Sequence, residues 1–449
     1  MDRRPRGRYA AWVSQRLENG TQRPRGNGGG LRSPIAIVFT TIFIDLVGFG
    51  IVIPVLPLYA ERFGASETAV GMLLAVYSAM QFIFAPVLGR VSDRVGRRPV
   101  LLLSLIGTAI GFLIMGLADA LWLLFVARAI PGITGGNIST AQAYIADVTP
   151  PEKRSHGMGL IGAAFGLGFI FGPAIGGVLS QISLGAPFFF ASALAAANAV
   201  AVYLRLPESL PPEKRHASKR RVSTVEVVRA AGGWRLGRVM VTYFLAILSF
   251  AMLTGTYALF ANERFGFDAV HTGYMFAFLG VIGAVIQGGL LGRLVDRFGE
   301  KGLAITGTAV FAASMFVLPQ GSAVWILIVA TTGIAIGNSL MMPTLNGLAS
   351  KSVHAAHQGR ILGSMSSVAS LGRIMGPVLG GWLLSRDAFL HVSQYGRSPY
   401  WTSGFIMLGA LAVAVWLPKG ARAEATAVGD EDKHQAHPSG HQATKTDTR

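Results

Sequence analysis

Asp45 lies about ten residues into an apolar segment that opens near Ile35 and reads FTTIFIDLVGFGIVIPVLPLY over its length. If that segment crosses a bilayer, an aspartate near its centre disfavours insertion by roughly 2.5–3.5 kcal/mol. A carboxylate in low-dielectric surroundings can load and release a proton at physiological pH. Asp45 is the one acidic side chain placed deep inside any apolar run. Its plainer role is a polar residue hydrogen-bonded to a neighbouring helix. Arg128, about seven residues into another apolar run, is its expected partner, because an arginine does not deprotonate and acts as a fixed charge. The alternative for Arg128 is a side chain that snorkels to the interface. Arg373 is a second embedded cation, either a contact for an anionic ligand or another snorkelling residue. Tyr77, Gln81, Asn137, Gln142, Gln287, Asn338 and Asn346 are neutral polar residues in such runs, suited to line a wet cavity or to bond helix to helix.

The elements that must position these groups follow from composition. The chain has 449 residues, 51% hydrophobic and 14% charged, against about 25% charged in soluble proteins. Apolar runs fall near 35–59, 69–89, 100–118, 121–146, 158–182, 187–206, 238–260, 271–292, 303–319, 324–349, 361–386 and 400–417. Each is long enough to cross a bilayer as a helix. The expected fold is an all-α membrane protein of twelve transmembrane helices. No polar segment exceeds about 35 residues, too short for an independent soluble core.

The net charge of +17 invites a nucleic-acid reading, but the distribution opposes it. About 31 of the 39 Lys and Arg sit in residues 1–34, in alternate loops and in the tail. The opposite loops hold little beyond Arg62, Arg264 and Arg397. Such positive-inside asymmetry implies two cytoplasmic termini, which an even span count requires. Residues 1–34 (polar, Gly-rich, basic) and 418–449 are expected to be disordered. A full-length span follows the first segment without a small-residue cleavage site, so no removed signal peptide is expected. Without cysteine there is no disulfide or thiolate metal site, and no metal site is expected.

The chain also repeats itself. ERFG at Glu61 recurs at Glu263, GRVSDRVGRRP at Gly89 recurs as GRLVDRFGEKG at Gly292, and GPAIGGVLS at Gly172 recurs as GPVLGGWLL at Gly376. The offsets are 202, 203 and 204 residues. This implies two six-helix halves of one orientation, 35–206 and 238–417, joined by a cytoplasmic linker at 207–237, with a ligand between the halves near the midplane. Asp45 is not repeated, for its counterpart falls near Ile247 or Leu248. The loop residues Gly89, Asp93, Arg94, Gly96, Arg97 and Arg98, and their mates Gly292, Asp296, Arg297 and Gly299, are expected to anchor topology and gate the cytoplasmic side. Asp93 is expected to cap the start of the eleventh span, and Asp296 that of the fifth, since a helix N-terminus attracts negative charge. Gly172, Pro173, Gly176, Gly177, Gly376, Pro377, Gly380 and Gly381 combine close packing with kinks.

Twelve spans, the G-x-x-x-D-R-x-G-R-R loop, Arg128 and the G-P-x-x-G-G of the fifth span resemble the major facilitator superfamily, within it the drug/proton antiporters. FAPVLGRVSDRVGRRPVLLLSLIG, GITGG and AAFGLGFIFGPAIGG look like the tetracycline/proton antiporters in particular. The resemblance covers nearly all of 35–417. It implies proton-coupled efflux of a small amphipathic drug by alternating access, driven by the proton gradient without a cofactor. It further implies a monomer in a bacterial inner membrane, proton coupling through Asp45 and Arg128, and a hinge and leak-blocking role for the fifth-span motif. The glutamines of AMQFIFAP and IGAVIQGG, Gln81 and Gln287, match glutamines of those antiporters. The chain departs from them where they carry an aspartate in the third span and a histidine in the eighth, having Gly111 and Gly283, and it lacks an aspartate in the ninth. The resemblance thus supports the antiport machinery, while these departures count against tetracycline as the drug.

Other classes fit less well. A sugar or metabolite facilitator or symporter needs neither the embedded carboxylate nor the antiport motif. A membrane enzyme needs a nucleophile–base pair or a metal cluster in the spans, and the spans have no G-x-S-x-G, no H-x-x-x-H and no paired carboxylates. A receptor would carry a soluble signalling domain.

Overall fold

The computed structural model describes residues 34–149, 154–210, 233–321, 323–352, 358–389 and 391–418. The basic amino-terminal segment and the tail, both expected to lack structure, and most of the linker lie outside the described residues. The rest is helical: α1 (Pro34–Glu61), α2 (Glu67–Val95), α3 (Arg97–Gly116), α4 (Leu121–Thr134), α5 (Asn137–Val148), α6 (Arg154–Ser180) and α7 (Ala186–Arg205) form the first half. α8 (Trp234–Phe265), α9 (Ala269–Val285), a π turn (Ile286–Leu290), α10 (Leu291–Val317), α11 (Val324–Lys351), α12 (Gln358–Asp387) and α13 (Arg397–Val415) form the second. Exposed large apolar side chains such as Ile83, Leu117, Trp122, Leu204 and Phe405 stud the surface of the bundle, as lipid-facing helices require.

Eleven helical runs are long and apolar enough to cross a membrane, and one of them, Ala269–Val317, has 49 residues. At 1.5 Å per residue that run would extend roughly 73 Å, more than twice the ~30 Å hydrocarbon core. It is two spans folded at Gly299, where φ is 73° and ψ 159°. Twelve spans result. Gly96, between α2 and α3, has φ 118° and ψ 165°. These two glycines, 203 residues apart, adopt the same glycine-only region of backbone space.

The small-residue motifs act as the repeat suggests. α6 lies on α1 so closely that a methyl group at Gly172 would stand 2.6 Å from the Val47 carbonyl oxygen, and one at Gly168 2.5 Å from Leu46 Cβ. In the second half, Gly376 of α12 meets the Leu248 carbonyl of α8 at 2.7 Å in the same sense. The halves join through α2 with α12 and α6 with α9. There, methyl groups at Gly71 and Gly273 would stand 2.2 and 2.4 Å from the carbonyl oxygens of Pro377 and Pro173. Gly381 against Glu67 and Gly177 against Ala269 complete this paired seam. The seam extends inward to Gly280, which faces Phe169 and Ile170. Toward the face of the basic loops it stops: a Cβ at Gly89, Gly162, Gly166, Gly288, Gly289, Gly292 or Gly363 would meet no atom within 4 Å. The close glycine contacts between the halves thus lie toward the face opposite the basic loops, and these glycines toward the basic face lack them.

The loop carboxylates expected to act as latches have these partners in the structure. Asp93 accepts a hydrogen bond from Arg97 Nη1 (2.7 Å), within its own loop. The N-terminus of α3 is capped instead by Glu208, whose carboxylate accepts from the Arg97 and Arg98 amides at 2.8 and 3.1 Å. Arg98 also donates to the Tyr203 carbonyl. Asp296 has no ion pair among the described residues, while its neighbour Glu300 pairs with Lys351 at 2.8 Å. The residues just before the fifth and eleventh spans, the proposed targets of Asp296 and Asp93, lie outside the described residues. Where the halves lack close contacts, a loop carboxylate turns to a cation of its own half.

Candidate functional site in the cleft between the halves

The fourth span, expected as one helix, is two. α4 ends at Thr134 and α5 begins at Asn137, with Gly135 (φ −73°, ψ 67°) and Gly136 (φ −102°, ψ 5°) between. Opening a helix in a membrane frees backbone groups that must find partners. Spans two and three supply them. Ser104 Oγ accepts from the Gly136 amide at 3.0 Å and donates to the Thr134 carbonyl. Gln81 Nε2 donates to the Gly135 carbonyl (3.4 Å) and to the Tyr77 hydroxyl (3.3 Å). Pro131, the glycine pair and Asn137 are a helix-stop followed by a helix-start, a signal that the spacing argument passed over.

The break sets Asn137 against Asp45. Asn137 Nδ2 donates to Asp45 Oδ1 at 2.9 Å, across from α5 to α1. This corrects the expected Asp45–Arg128 pair. Arg128 is buried, 4% exposed, and lays its guanidinium over the Tyr77 ring at 4.6 Å from the centroid. That is cation–π distance. Its Nε has no hydrogen-bond partner. The neutral amide takes the carboxylate because the break brings it within reach, while the ring face occupies the arginine.

Tyr77 is the hub. Asp45, Arg128 and Arg373 all lie within electrostatic reach of its hydroxyl. Arg373, on α12 of the other half, donates to Ser370 Oγ at 3.1 Å on its own helix and faces Tyr77 and Tyr243. Tyr243, on α8, went unnoticed in the sequence because an isolated tyrosine in an apolar run carries no pattern. Phe49 stands 6.4 Å from Tyr77 and 6.0 Å from Phe169, an aromatic wall running into the closed seam.

The remaining polar residues divide. Gln81 belongs to the site. Gln142 is exposed on α5, and Asn346 bonds back to the Met342 carbonyl of its own helix at 3.1 Å. Gln287 sits in the π turn, and Asn338 keeps a buried Oδ1 without a partner. At Gly111 a side chain would run into Pro131 Cδ at 2.7 Å, so the third span has no room for an acid there. At Gly283 a Cβ would clear Ser339 Oγ by 3.3 Å. Among the described residues no group of three metal-ligating side chains gathers.

The Major Facilitator Superfamily model matches residues 38–292 and 288–441. The chain belongs to that superfamily. It is similar to the tetracycline resistance protein, class C, of Escherichia coli, 36% identical over 349 residues that cover 77% of this chain and 88% of the relative. It is also similar to multidrug resistance protein 2 of Bacillus subtilis, 32% identical over 393 residues, 85% of this chain and 95% of the relative. Among solved structures it resembles the human organic anion transporter MFSD10, with a TM-score of 0.65, 25% identity, and coverage of 85% of this chain and 98% of the other. A bacterial homolog of the human lysosomal transporter Spinster, in an inward-facing and occupied conformation, shares the fold at a TM-score of 0.69 and 15% identity, covering 87% and 97%. The superfamily chain described here is thus a multi-span membrane transporter of small molecules and not an enzyme, with drug-efflux relatives.

Proposed function

We propose that this transporter exports a small amphipathic drug-like compound in exchange for protons, by alternating access, across a bacterial inner membrane with both termini in the cytoplasm. The observation that carries the reading is Asp45: a lone carboxylate in the first span, held by an amide at a broken helix and facing an open cleft. With the basic face taken as cytoplasmic, the conformation is inward-open. Protonation neutralises Asp45, and a substrate group that needs its charge competes with the proton for one state of the site. The paired glycine–proline seams close the outer side, consistent with a hinge and leak-blocking role for Gly172–Gly177 and Gly376–Gly381. No cofactor is required, since the gradient supplies the energy, and each monomer contains a whole cleft. Tetracycline is at most a minor substrate, because Gly111 and Gly283 leave out the charges expected of that site.

Proton-driven transport in reconstituted vesicles, run beside counterflow without a gradient, tests this. Asp45→Asn is expected to abolish uphill transport and to leave counterflow in place. Full uphill transport by Asp45→Asn would make the carboxylate structural.

A further inference from the structure

The two seams that join the halves opposite the basic loops are built from repeat mates, yet they end differently. On each, a glycine late in one helix meets the start of another. A methyl group at Gly381 would stand 2.3 Å from the Glu67 carbonyl oxygen, and one at Gly177 2.9 Å from that of Ala269. Beyond Gly381, side chains tie α2 to the second half. Ser385 Oγ donates to the Trp382 carbonyl at 2.9 Å, so its oxygen is left to accept from Thr68 Oγ1, 3.1 Å away. The Tyr395 hydroxyl donates to Glu67 Oε1 at 3.5 Å. Beyond Gly177, no side-chain hydrogen bond joins α6 to α9 among the described residues. At the repeat offsets, Thr68 corresponds to Val270 and Ser385 to Gln181, and valine has no hydrogen-bonding side chain. Ser180, next to Gln181, turns back to the Gly177 carbonyl of its own helix at 2.6 Å. Gln181 and Val270 instead line a cavity of about 460 Å³. The ERFG repeat divides in the same way. Arg264 donates to the carbonyls of Pro319, Gly321, Ser393 and Tyr395 at 2.7 to 3.3 Å and so holds the segment that carries Tyr395. Its mate Arg62 lines the cavity.

We infer that the Thr68–Ser385 bond, backed by Glu67–Tyr395, is a one-sided bolt on the outer gate that sets the balance between inward-open and outward-open states. The inference rests on the alternating access proposed above. Both bonds run from one half to the other, so parting the seam breaks them, and they stabilise only the state in which it is shut. The glycine contacts are common to both edges and favour neither. The hydrogen bonds belong to the α2–α12 edge, while the corresponding positions at the α6–α9 edge surround a hollow. The polar hold on the gate therefore lies on one side of a symmetric frame, and Arg264 serves it at one remove by fixing where Tyr395 stands.

The test reads the resting state of the purified full-length protein in phosphatidylcholine nanodiscs, with neither substrate nor gradient. Spin labels go on cysteines at Ile182 and Phe389, exposed tips of the two halves on the outer side. The distance distribution between them gives the ratio of outward-open to inward-open protein. Thr68→Val and Ser385→Ala are each expected to raise that ratio roughly 2- to 10-fold, the size of one net hydrogen bond. Together they should raise it no further than either alone, since both remove the same bond. Thr68→Ser keeps the hydroxyl and should keep the ratio. Arg264→Gln should raise it and Arg62→Gln should not. Gln181→Ala, at the mirror position of Ser385, should leave it unchanged. Unfolding would broaden the distribution rather than move protein between two distances, so loss of structure does not imitate the result. An unchanged ratio in both Thr68→Val and Ser385→Ala would overturn the bolt. An equal rise in Gln181→Ala would overturn its one-sidedness. Either failure leaves the antiport reading standing, because uphill transport by Asp45→Asn decides that separately.

Discussion

The fixed charge of the site rests on an aromatic face. Tyr77 supports Arg128 through its ring and meets Gln81 through its hydroxyl, and the two functions separate by substitution. Tyr77→Phe keeps the ring and should retain most transport. Tyr77→Leu removes it and should lower gradient-driven flux about tenfold or more, since a desolvated cation–π contact contributes about 2 kcal/mol. Arg128→Lys should be nearly as damaging, because lysine loses the planar fork and the stacking, and can itself deprotonate when buried. Initial rates in everted vesicles at matched protein levels check both. Equal rates for the Phe and Leu variants would remove the ring from the account.

Elements meet where side chains are absent. Gly96 is required twice over: its φ of 118° disfavours any Cβ, and a methyl there would stand 2.4 Å from Glu208 Oε2. Gly96→Ala should cost about 1–3 kcal/mol of stability, read as a lowered Tm with Glu208→Gln as the comparison for the lost cap. Gly71 and Gly273 close the outer seam against the carbonyls of Pro377 and Pro173. Gly71→Ala should push the population from inward-open toward outward-open, because the clash exists only when the seam is shut. The chain has no cysteine, so one introduced at Gly166, where no neighbour stands within 4 Å, reports directly. Its labelling by a membrane-impermeant maleimide from the basic face should slow in the Gly71→Ala background. Unchanged labelling would mean that α2 and α12 yield without shifting the equilibrium.

The whole molecule is a symmetric frame around an asymmetric site. Gly71 and Gly273, Gly96 and Gly299, Gly172 and Gly376, and Pro173 and Pro377 are repeat mates that hold the same packing or backbone roles in both halves. Among the described residues, the glycine break and the acid at mid-span belong to the first half, for α11 runs unbroken from Val324 to Lys351. The second half contributes Arg373 and Tyr243. In the proposed antiport, Asp45 would therefore work beside the interface between the halves. One topological prediction belongs to this scale: cysteines placed singly at Ala65 and Arg94 should label from opposite sides, Ala65 from outside. Labelling of Arg94→Cys from outside would invert the charge argument.

The sequence by itself determined what depends on composition and local pattern. Hydropathy set twelve spans, charge bias predicts their orientation, the 202–204-residue offset set two like halves, and Asp45, Arg128, Arg373 and Tyr77 were legible as polar groups at membrane depth. What it left open was partnership. In an unbroken helix Arg128 and Asn137, nine positions apart, are separated by about 2.5 turns and point to opposite sides. One face of a continuous span could offer Asp45 the arginine or the asparagine, not both near the same ring. The break at Gly135–Gly136 resets that phase, and only the tertiary structure, which supplies Ser104 and Gln81 to the freed backbone, makes such a break affordable in lipid. The open side of the cleft was equally beyond the sequence. Inward-open and outward-open states are made of the same residues, and the choice between them lies in which seam of glycines is shut.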